Sequence, residues 1–471
     1  MEQLDIVITN ARILTMAPPG FEVIDGGFLS IRNGKIVGLG PARELGKGCY
    51  TADGGWRSAP DTCSAKQVID AGGAIVMPGL IDTHFHTAQQ FLRGRLFDLS
   101  TRRTLRLPTW KNYLITFEQL LKPEDVYISG LVAYANLIRV GTTCFAEAGG
   151  PCPGDMGRAA AETGIRGILA LSTMDSGDGV PARMLMSTEE AIERNMELVK
   201  NWNGKENGRI RAWLALRQLI VCTPRLWVRF AELAEELDTR IHTHLAEGTY
   251  EVDFSLERFG KRPAVHLEAL GVLNPRLHCA HSALLSDQEV DLYAKYDVSS
   301  AHCPIGNFTL FGRPRVPEMR RRGIRVGIAS DGASQGSVDL FRAMVVSLVC
   351  QRSHFGAPYR DTNNVTLLDM LRMATIDGAR ALGLDREIGS LEVGKRADVI
   401  ILKANDLDVF PAYHPVFVAG NTSGELVDTV IIDGKVVMHG RRLCTVDEEQ
   451  LLREARSRLE DIMRRYLDVV S

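Results

Sequence analysis

At 471 residues, with 45% apolar and 24% charged side chains and a formal net charge of -3, the chain has the make-up of an ordinary globular protein with room for a sizeable core. The charge balance gives no reason to expect nucleic acid, no apolar run reaches the roughly 18 residues of a spanning helix, and the start Met1-Glu2-Gln3-Leu4-Asp5 lacks a signal peptide's basic and apolar regions. The cytoplasm is the expected location. Nine cysteines without a Cys-x-x-Cys pair argue against a disulfide framework and for buried, reduced fillers.

In chain order, the first 70 or so residues read as short strands, Asp5 to Thr9, Ala11 to Met16, Phe28 to Arg32 and Lys35 to Leu39, with Asn33-Gly34 as a hairpin signal. From about Ile75 to Gly383 apolar runs alternate with amphipathic segments, the pattern of βα repeats. Eight strands are expected: Val76 to His84, Thr142 to Ala148, Gly167 to Leu171, Arg211 to Leu216, Arg240 to His244, Arg276 to His281, Val298 to His302 and Val326 to Asp331. Helices fall between them, for example over Pro123 to Val140 and Leu226 to Leu237. Near the end, Asp398 to Leu402, Val427 to Ile432, Asp433-Gly434 and Lys435 to His439 repeat the opening texture. The expected class is therefore α/β, with 75–384 as a (β/α)8 barrel, a fold that typically takes about 250 residues. Residues 1–74 and 385–445 form one composite β-sandwich, and 446–471 a C-terminal helix packed outside.

The chemistry begins at Gly79-Leu80-Ile81-Asp82-Thr83-His84-Phe85-His86. Alternate residues of a strand share a face, so both imidazoles point the same way, and such a pair is half of a divalent-metal site. Three later stretches answer it, His242-Thr243-His244-Leu245-Ala246-Glu247, His278-Cys279-Ala280-His281-Ser282 and Ala329-Ser330-Asp331-Gly332. In a barrel the reactive groups come from the C-terminal strand ends, where His84, His86, His244, His281 and Asp331 all fall. Three imidazoles and a carboxylate suit one divalent ion, Zn(II) first, with Fe(II), Co(II) or Mn(II) as alternatives. The ion's task would be to make hydroxide at neutral pH, with Asp331 as base, Glu247 carrying a proton to the leaving nitrogen, and His281 polarising the substrate's electrophilic carbon or hydrogen-bonding the attacking oxygen. Taken singly each has a duller reading: Asp331 as a turn residue, Glu247 as a solvated carboxylate, His281 as a core histidine.

Together with Pro78-Gly79, His302-Cys303-Pro304, Ser330-Asp331-Gly332-Ala333-Ser334 and Gly389-Ser390-Leu391-Glu392-Val393-Gly394-Lys395-Arg396-Ala397-Asp398, these stretches resemble the amidohydrolase superfamily. The branch is that of triazine hydrolases and cytosine, guanine and adenosyl-homocysteine deaminases. The resemblance implies a barrel with a small β-sandwich, one metal on His84, His86, His244 and Asp331, and Glu247 with His281 as the proton-handling pair. It also implies a small-molecule substrate and a homo-oligomer, and xenobiotic degradation is among its known uses. The chain departs from the pattern after strand four, reading Leu216-Arg217-Gln218-Leu219-Ile220 where relatives carry a His-Ala-Pro-like segment. It departs again at Ala135-Asn136-Leu137, at Ile305-Gly306-Asn307 and at Gln335. Arg217, Gln218, Trp110, His302 and Asn307 are therefore the candidate substrate contacts, with Glu147 able to read substrate or pair with Arg217. Phe85, Phe91, Trp110 and Phe308 are candidates to wall an apolar pocket. His242 reads as packed behind the site, and Arg320-Arg321-Arg322 as a solvated helix face.

The expected function is metal-dependent hydrolysis of a carbon–nitrogen bond, other than a peptide bond, in a small nitrogen heteroaromatic: a deaminase or triazine-hydrolase reaction. The alternative is hydrolysis of an amide, phenylurea or (thio)carbamate; a scaffold that has lost the reaction would show a broken ligand set.

Overall fold

The computed structural model describes residues 3–470 apart from 20, 46–48, 51–55, 58–64, 362 and 404–405; Met1 and Glu2, part of the opening read above, lie outside the described residues. Eight parallel strands form the barrel: β1 (Leu80–Phe85), β2 (Thr142–Glu147), β3 (Arg166–Leu169), β4 (Ile210–Ala212, resuming as Leu214–Gln218), β5 (Ile241–Leu245), β6 (Leu277–His281), β7 (Ser299–His302) and β8 (Val326–Ile328). The two pieces of β4 divide its pairing, the first bonding to β3 and the second to β5. The ring closes between β8 and β1, where Thr83 Oγ1 donates to the Ile328 carbonyl at 3.0 Å and the Asp331 amide donates to the His84 carbonyl at 3.1 Å. Runs such as Thr-Thr-Cys-Phe-Ala-Glu in β2 are buried at every position, as strands covered on both faces require. Outer helices start where their caps dictate; Thr223 accepts from the Leu226 amide and Pro224 opens Pro224–Glu236.

The expected first strand, Val76 to His84, divides at Gly79. Ile75–Pro78 pairs with Leu4–Leu14 and Val399–Leu402 in the terminal sheet, and only from Leu80 does the chain enter the barrel. Any side chain at Gly79 would meet the Thr143 side chain at 2.1 Å, so glycine permits the close approach of β1 to β2.

Both chain ends contribute to one nine-stranded sheet. Leu4–Leu14 is kinked near Asn10, whose φ is 52°, and so pairs parallel with Ala65–Asp70 over its first half and with Ile75–Pro78 beyond. The two hairpins noted in the sequence, at Asn33-Gly34 and Asp433-Gly434, both turn through positive φ. They lie turn to turn, since a Cβ on Gly34 would stand 2.9 Å from the Asp433 carbonyl. Ile6, Ile8, Ile13, Leu29, Ile31, Val399 and Ile401 fill the core they share. The C-terminal helix Glu448–Val470 turns Leu451, Ala455, Ile462 and Tyr466 inward, Tyr466 meeting Phe117 edge-on at 5.4 Å.

Barrel and sheet are clamped by a buried bidentate pair. Arg166 donates to Asp398 at 2.7 and 2.9 Å, with side chains only 4% and 3% exposed. Breaking a buried pair strands the other charge, so Arg166→Ala is expected to cost about 3–5 kcal/mol of stability in urea unfolding; a loss under about 1 kcal/mol would show that water reaches the carboxylate.

The arginine run is not simply solvated. Arg320 bridges Asp369 and Asp377 at 3.0 and 2.9 Å, because the helix Val316–Arg321 packs its last turn against the segment after β8. Seven cysteines are free thiols; the side chains of Cys49 and Cys63 lie outside the described set. Among the described residues no helix is long and apolar enough to cross a membrane.

Candidate active site

The side chains at the mouth of the barrel converge on one point. His84 Nδ1 lies 2.8 Å from His242 Nε2, and its Nε2 stands 3.3 Å from Asp331 Oδ1. His86 Nε2 is 3.6 Å from the same oxygen and 3.3 Å from His244 Nε2. His244 Nδ1 donates to the Arg217 carbonyl at 2.8 Å, which fixes the tautomer and leaves Nε2 as a lone pair facing the centre. Nitrogens of His84, His86 and His244 lie within 4.8 Å of one another, as do ligand atoms of His84, His281, Cys303 and Asp331. Burial, before any other cause, lowers the pKa of His84, His86, His242 and His244 well below the usual imidazole range, so the rings are neutral. It also pushes Asp331 up to about 6. His84 Nε2 is buried without a hydrogen bond. A buried lone pair without a donor is costly, and a cation among these neutral nitrogens and the carboxylate is what the donor set fits.

The backbone is bent to build this cluster. His281, Ser282, Ala246 and Asp331 all have positive φ, between 48° and 68°, a strain of about 1–3 kcal/mol each at strand ends that must turn a side chain back over the barrel. Gly306 matters for another reason: a Cβ there would come 2.8 Å from Asp331 Oδ2.

Glu247 stands beside the cluster. Tyr250 Oη and Gln218 Nε2 donate to its Oε2 at 2.6 and 2.7 Å, and its Oε1 is 3.8 Å from His281 Nε2. Burial raises its pKa, the direction that suits a proton carrier near neutrality. Glu251 accepts the Glu247 amide at 2.9 Å and Gln218 Nε2 at 3.2 Å, which fixes the loop. Arg217 pairs with Glu118 at 3.7 Å and lies over the Trp110 ring at 5.5 Å; Trp110 Nε1 donates to Tyr250 Oη at 3.1 Å. Arg217, Gln218 and Trp110 thus adjoin the cluster. Asn307 donates to the His281 carbonyl at 3.2 Å with its Oδ1 unpartnered, while His302 is tied to Ser347 Oγ at 3.0 Å. Phe85 does not wall a pocket; it is fully buried and packs on Phe145 at 6.0 Å, because alternation along β1 turns it away from the histidine face.

Sequence reasoning passed over Glu118, Gln89, Tyr250 and Cys303. Glu118 left one signal, an acid within the apolar stretch Ile115 to Leu121, where burial needs a partner. Glu147 is not paired with Arg217; it accepts the Thr87 amide at 3.0 Å, and burial pushes it from 4.5 up to about 8. The folded state prefers its protonated form, so that contribution is full below pH 4.5 and disappears as pH climbs through about 8. Glu147→Gln stays neutral, and its stability relative to the parent is expected to improve by a few kcal/mol between acid and mildly alkaline pH. Urea unfolding at both ends of that range checks it; equal shifts at the two ends would mean that the carboxyl ionises freely.

Residues 75–437 match the family described as the Amidohydrolase family. The chain belongs to the amidohydrolase family. This amidohydrolase is 33% identical over 97% of its length to 98% of the 5'-deoxyadenosine deaminase of Methanobrevibacter smithii. It is equally 33% identical, over 96% of its length and 97% of the relative, to the 5-methylthioadenosine/S-adenosylhomocysteine deaminase of Desulforudis audaxviator. Among solved structures, an adenosine deaminase from Xanthomonas campestris with bound zinc superposes with a TM-score of 0.85 at 27% identity, covering 98% of this chain and 99% of that one. An atrazine chlorohydrolase from Arthrobacter aurescens TC1 complexed with zinc shares the fold at a TM-score of 0.81 and 21% identity, covering 96% and 100%. The expected barrel, the family and a hydrolase acting on carbon–nitrogen bonds other than peptide bonds are thereby established.

Proposed function

We propose that this amidohydrolase removes an amino group, as ammonia, from a small nitrogen heteroaromatic of the purine-nucleoside type. The observation that carries the reading is the convergence of three imidazole nitrogens and Asp331 beside the Glu247–His281 pair; the deaminases among its relatives support it. His84, His86, His244 and Asp331 hold the metal, Zn(II) by the donor set and by the zinc in similar structures. When bound, a divalent ion supplies acidified water near neutral pH and polarises the electrophilic carbon.

The chain's own residues do the rest. For His84 to offer Nε2, its Nδ1 proton must be donated to His242, which makes His242 a positioning residue. Asp331 takes a proton as base. Glu247, held by Tyr250 and Gln218 on one oxygen, carries a proton from its other oxygen to the departing nitrogen, and His281 orients the attacked carbon. Arg217, Gln218, Trp110, His302 and Asn307 shape the substrate end. In this reading the barrel, 75–384, carries the chemistry, and the β module of 1–74 and 385–445 braces it with the helix of 446–471. A cytoplasmic homo-oligomer belongs to the same reading, the exposed Leu407, Phe410, Tyr413 and Phe417 supporting self-association.

Incubating the zinc-loaded protein with adenine nucleosides, aminotriazines, phenylureas and carbamates tests the assignment. Ammonia release from the first group is expected. Release of an aniline or secondary amine in its place would move the function to amide or urea hydrolysis. Chelation is expected to abolish turnover and stoichiometric zinc to restore it; activity unaffected by a chelator at equilibrium with the protein would remove the metal from the reading.

A further inference from the structure

Away from the barrel centre the molecule carries a cavity of about 370 Å³. It lies between the helix Pro123–Arg139, the C-terminal helix Glu448–Val470, the loop after β8 and the turn at Gly424. Four guanidiniums line it, those of Arg93, Arg139, Arg342 and Arg441, against three carboxylates, Asp339, Glu425 and Glu448. The carboxylates are largely committed: Glu448 pairs with Arg139, and Asp339 accepts the Phe341 and Gly424 amides at 2.9 Å with Arg342 Nε at 3.6 Å.

The positive charge is not equally committed. Arg441 gives Nη1 to the carbonyls of Gly424, Glu425 and Val427 at 2.8–2.9 Å, which leaves Nε and Nη2 free to donate. Burial, and next the charge of Arg139, lower its pKa, as expected of two cations facing one space. Arg93 is exposed and makes no side-chain hydrogen bond or ion pair among the described residues. Val338, Leu451 and Leu452 add apolar lining, the last still 49% exposed. One surplus cation with apolar lining matches a monoanion with an apolar body.

We propose that this cleft binds a small organic carboxylate, its carboxylate group held by Arg93 and Arg441 and its apolar body laid on Val338, Leu451 and Leu452. The site backs onto the catalytic loops. Gln90, in its wall, follows Gln89, whose amide accepts from Ser334 and donates to Glu118, both at 2.7 Å, and Glu118 faces Arg217. An occupant therefore bears from behind on the segments after His86 and Asp331.

Calorimetric titration of the metal-loaded full chain with benzoate, benzamide and inorganic phosphate is the test. Saturable benzoate binding is expected, with a Kd at or below about 1 mM, and none for benzamide. Arg93→Gln, which leaves the Arg139–Glu448 pair intact, is expected to weaken it at least about tenfold. Leu452→Glu, placing a like charge on the exposed wall, is expected to do the same without touching an arginine. Benzoate binding unchanged in both variants would put the ligand elsewhere, the metal centre included, and overturn the proposal. So would saturable binding of phosphate without benzoate, or no saturable benzoate binding up to roughly 10 mM.

Discussion

Asp331→Asn is expected to lower turnover by at least about a hundredfold and to weaken metal binding, with little change in thermal stability. In the proposed reading the oxygen 3.3 and 3.6 Å from His84 and His86 would be both a negative charge toward the ion and the acceptor of the nucleophile's proton. An amide of the same shape keeps the turn, because the Asp331 backbone bond to the His84 carbonyl does not involve the side chain. It supplies neither charge nor basicity. Rates within about threefold of the parent, with metal content unchanged, would strike Asp331 from the reaction.

Glu247→Gln is expected to cost between about 10² and 10⁴ in turnover while the protein still binds its metal in full. That contrast separates the two roles. The amide oxygen of glutamine can still accept from Tyr250 and Gln218, so the loop stays in place; what is lost is the titrating proton. The alkaline or acid limb that Glu247 contributes to the rate profile should vanish in the variant. A variant that loses metal, or one that keeps both rate and profile, would reassign Glu247 to holding the loop.

The barrel was legible because its strands are buried on both faces and read as apolar runs at βα spacing. His84, His86, His244, His281 and Asp331 were legible because strand alternation and strand ends fix where a side chain goes before any contact is known. The boundary at Gly79 was not: apolar residues flank Pro78-Gly79 on both sides, and only three-dimensional pairing shows that the part before it belongs to another sheet. Glu118 and Tyr250 were hidden for a different reason. Their roles come from partners 99 and 3 residues away, Arg217 and Glu247, contacts that the spacing within the helices Ile115–Glu118 and Thr249–Phe259 does not reveal. Cys303 looked like filler because the expected ligand set left no place for a thiol, yet its sulfur shares the space of His84 and Asp331.

The junction at Gly79 makes one stretch of chain a member of two walls at once. Four residues are woven into the terminal sheet, and after Gly79 the six of β1 carry His84 and lead directly into His86. The height at which His84 and His86 reach the mouth is thus inherited from hydrogen bonds made at the opposite end of the barrel, by segments some 300 residues further along the chain. Trimming this enzyme to a minimal barrel would release that moorage, and the nitrogen pair would drift with it.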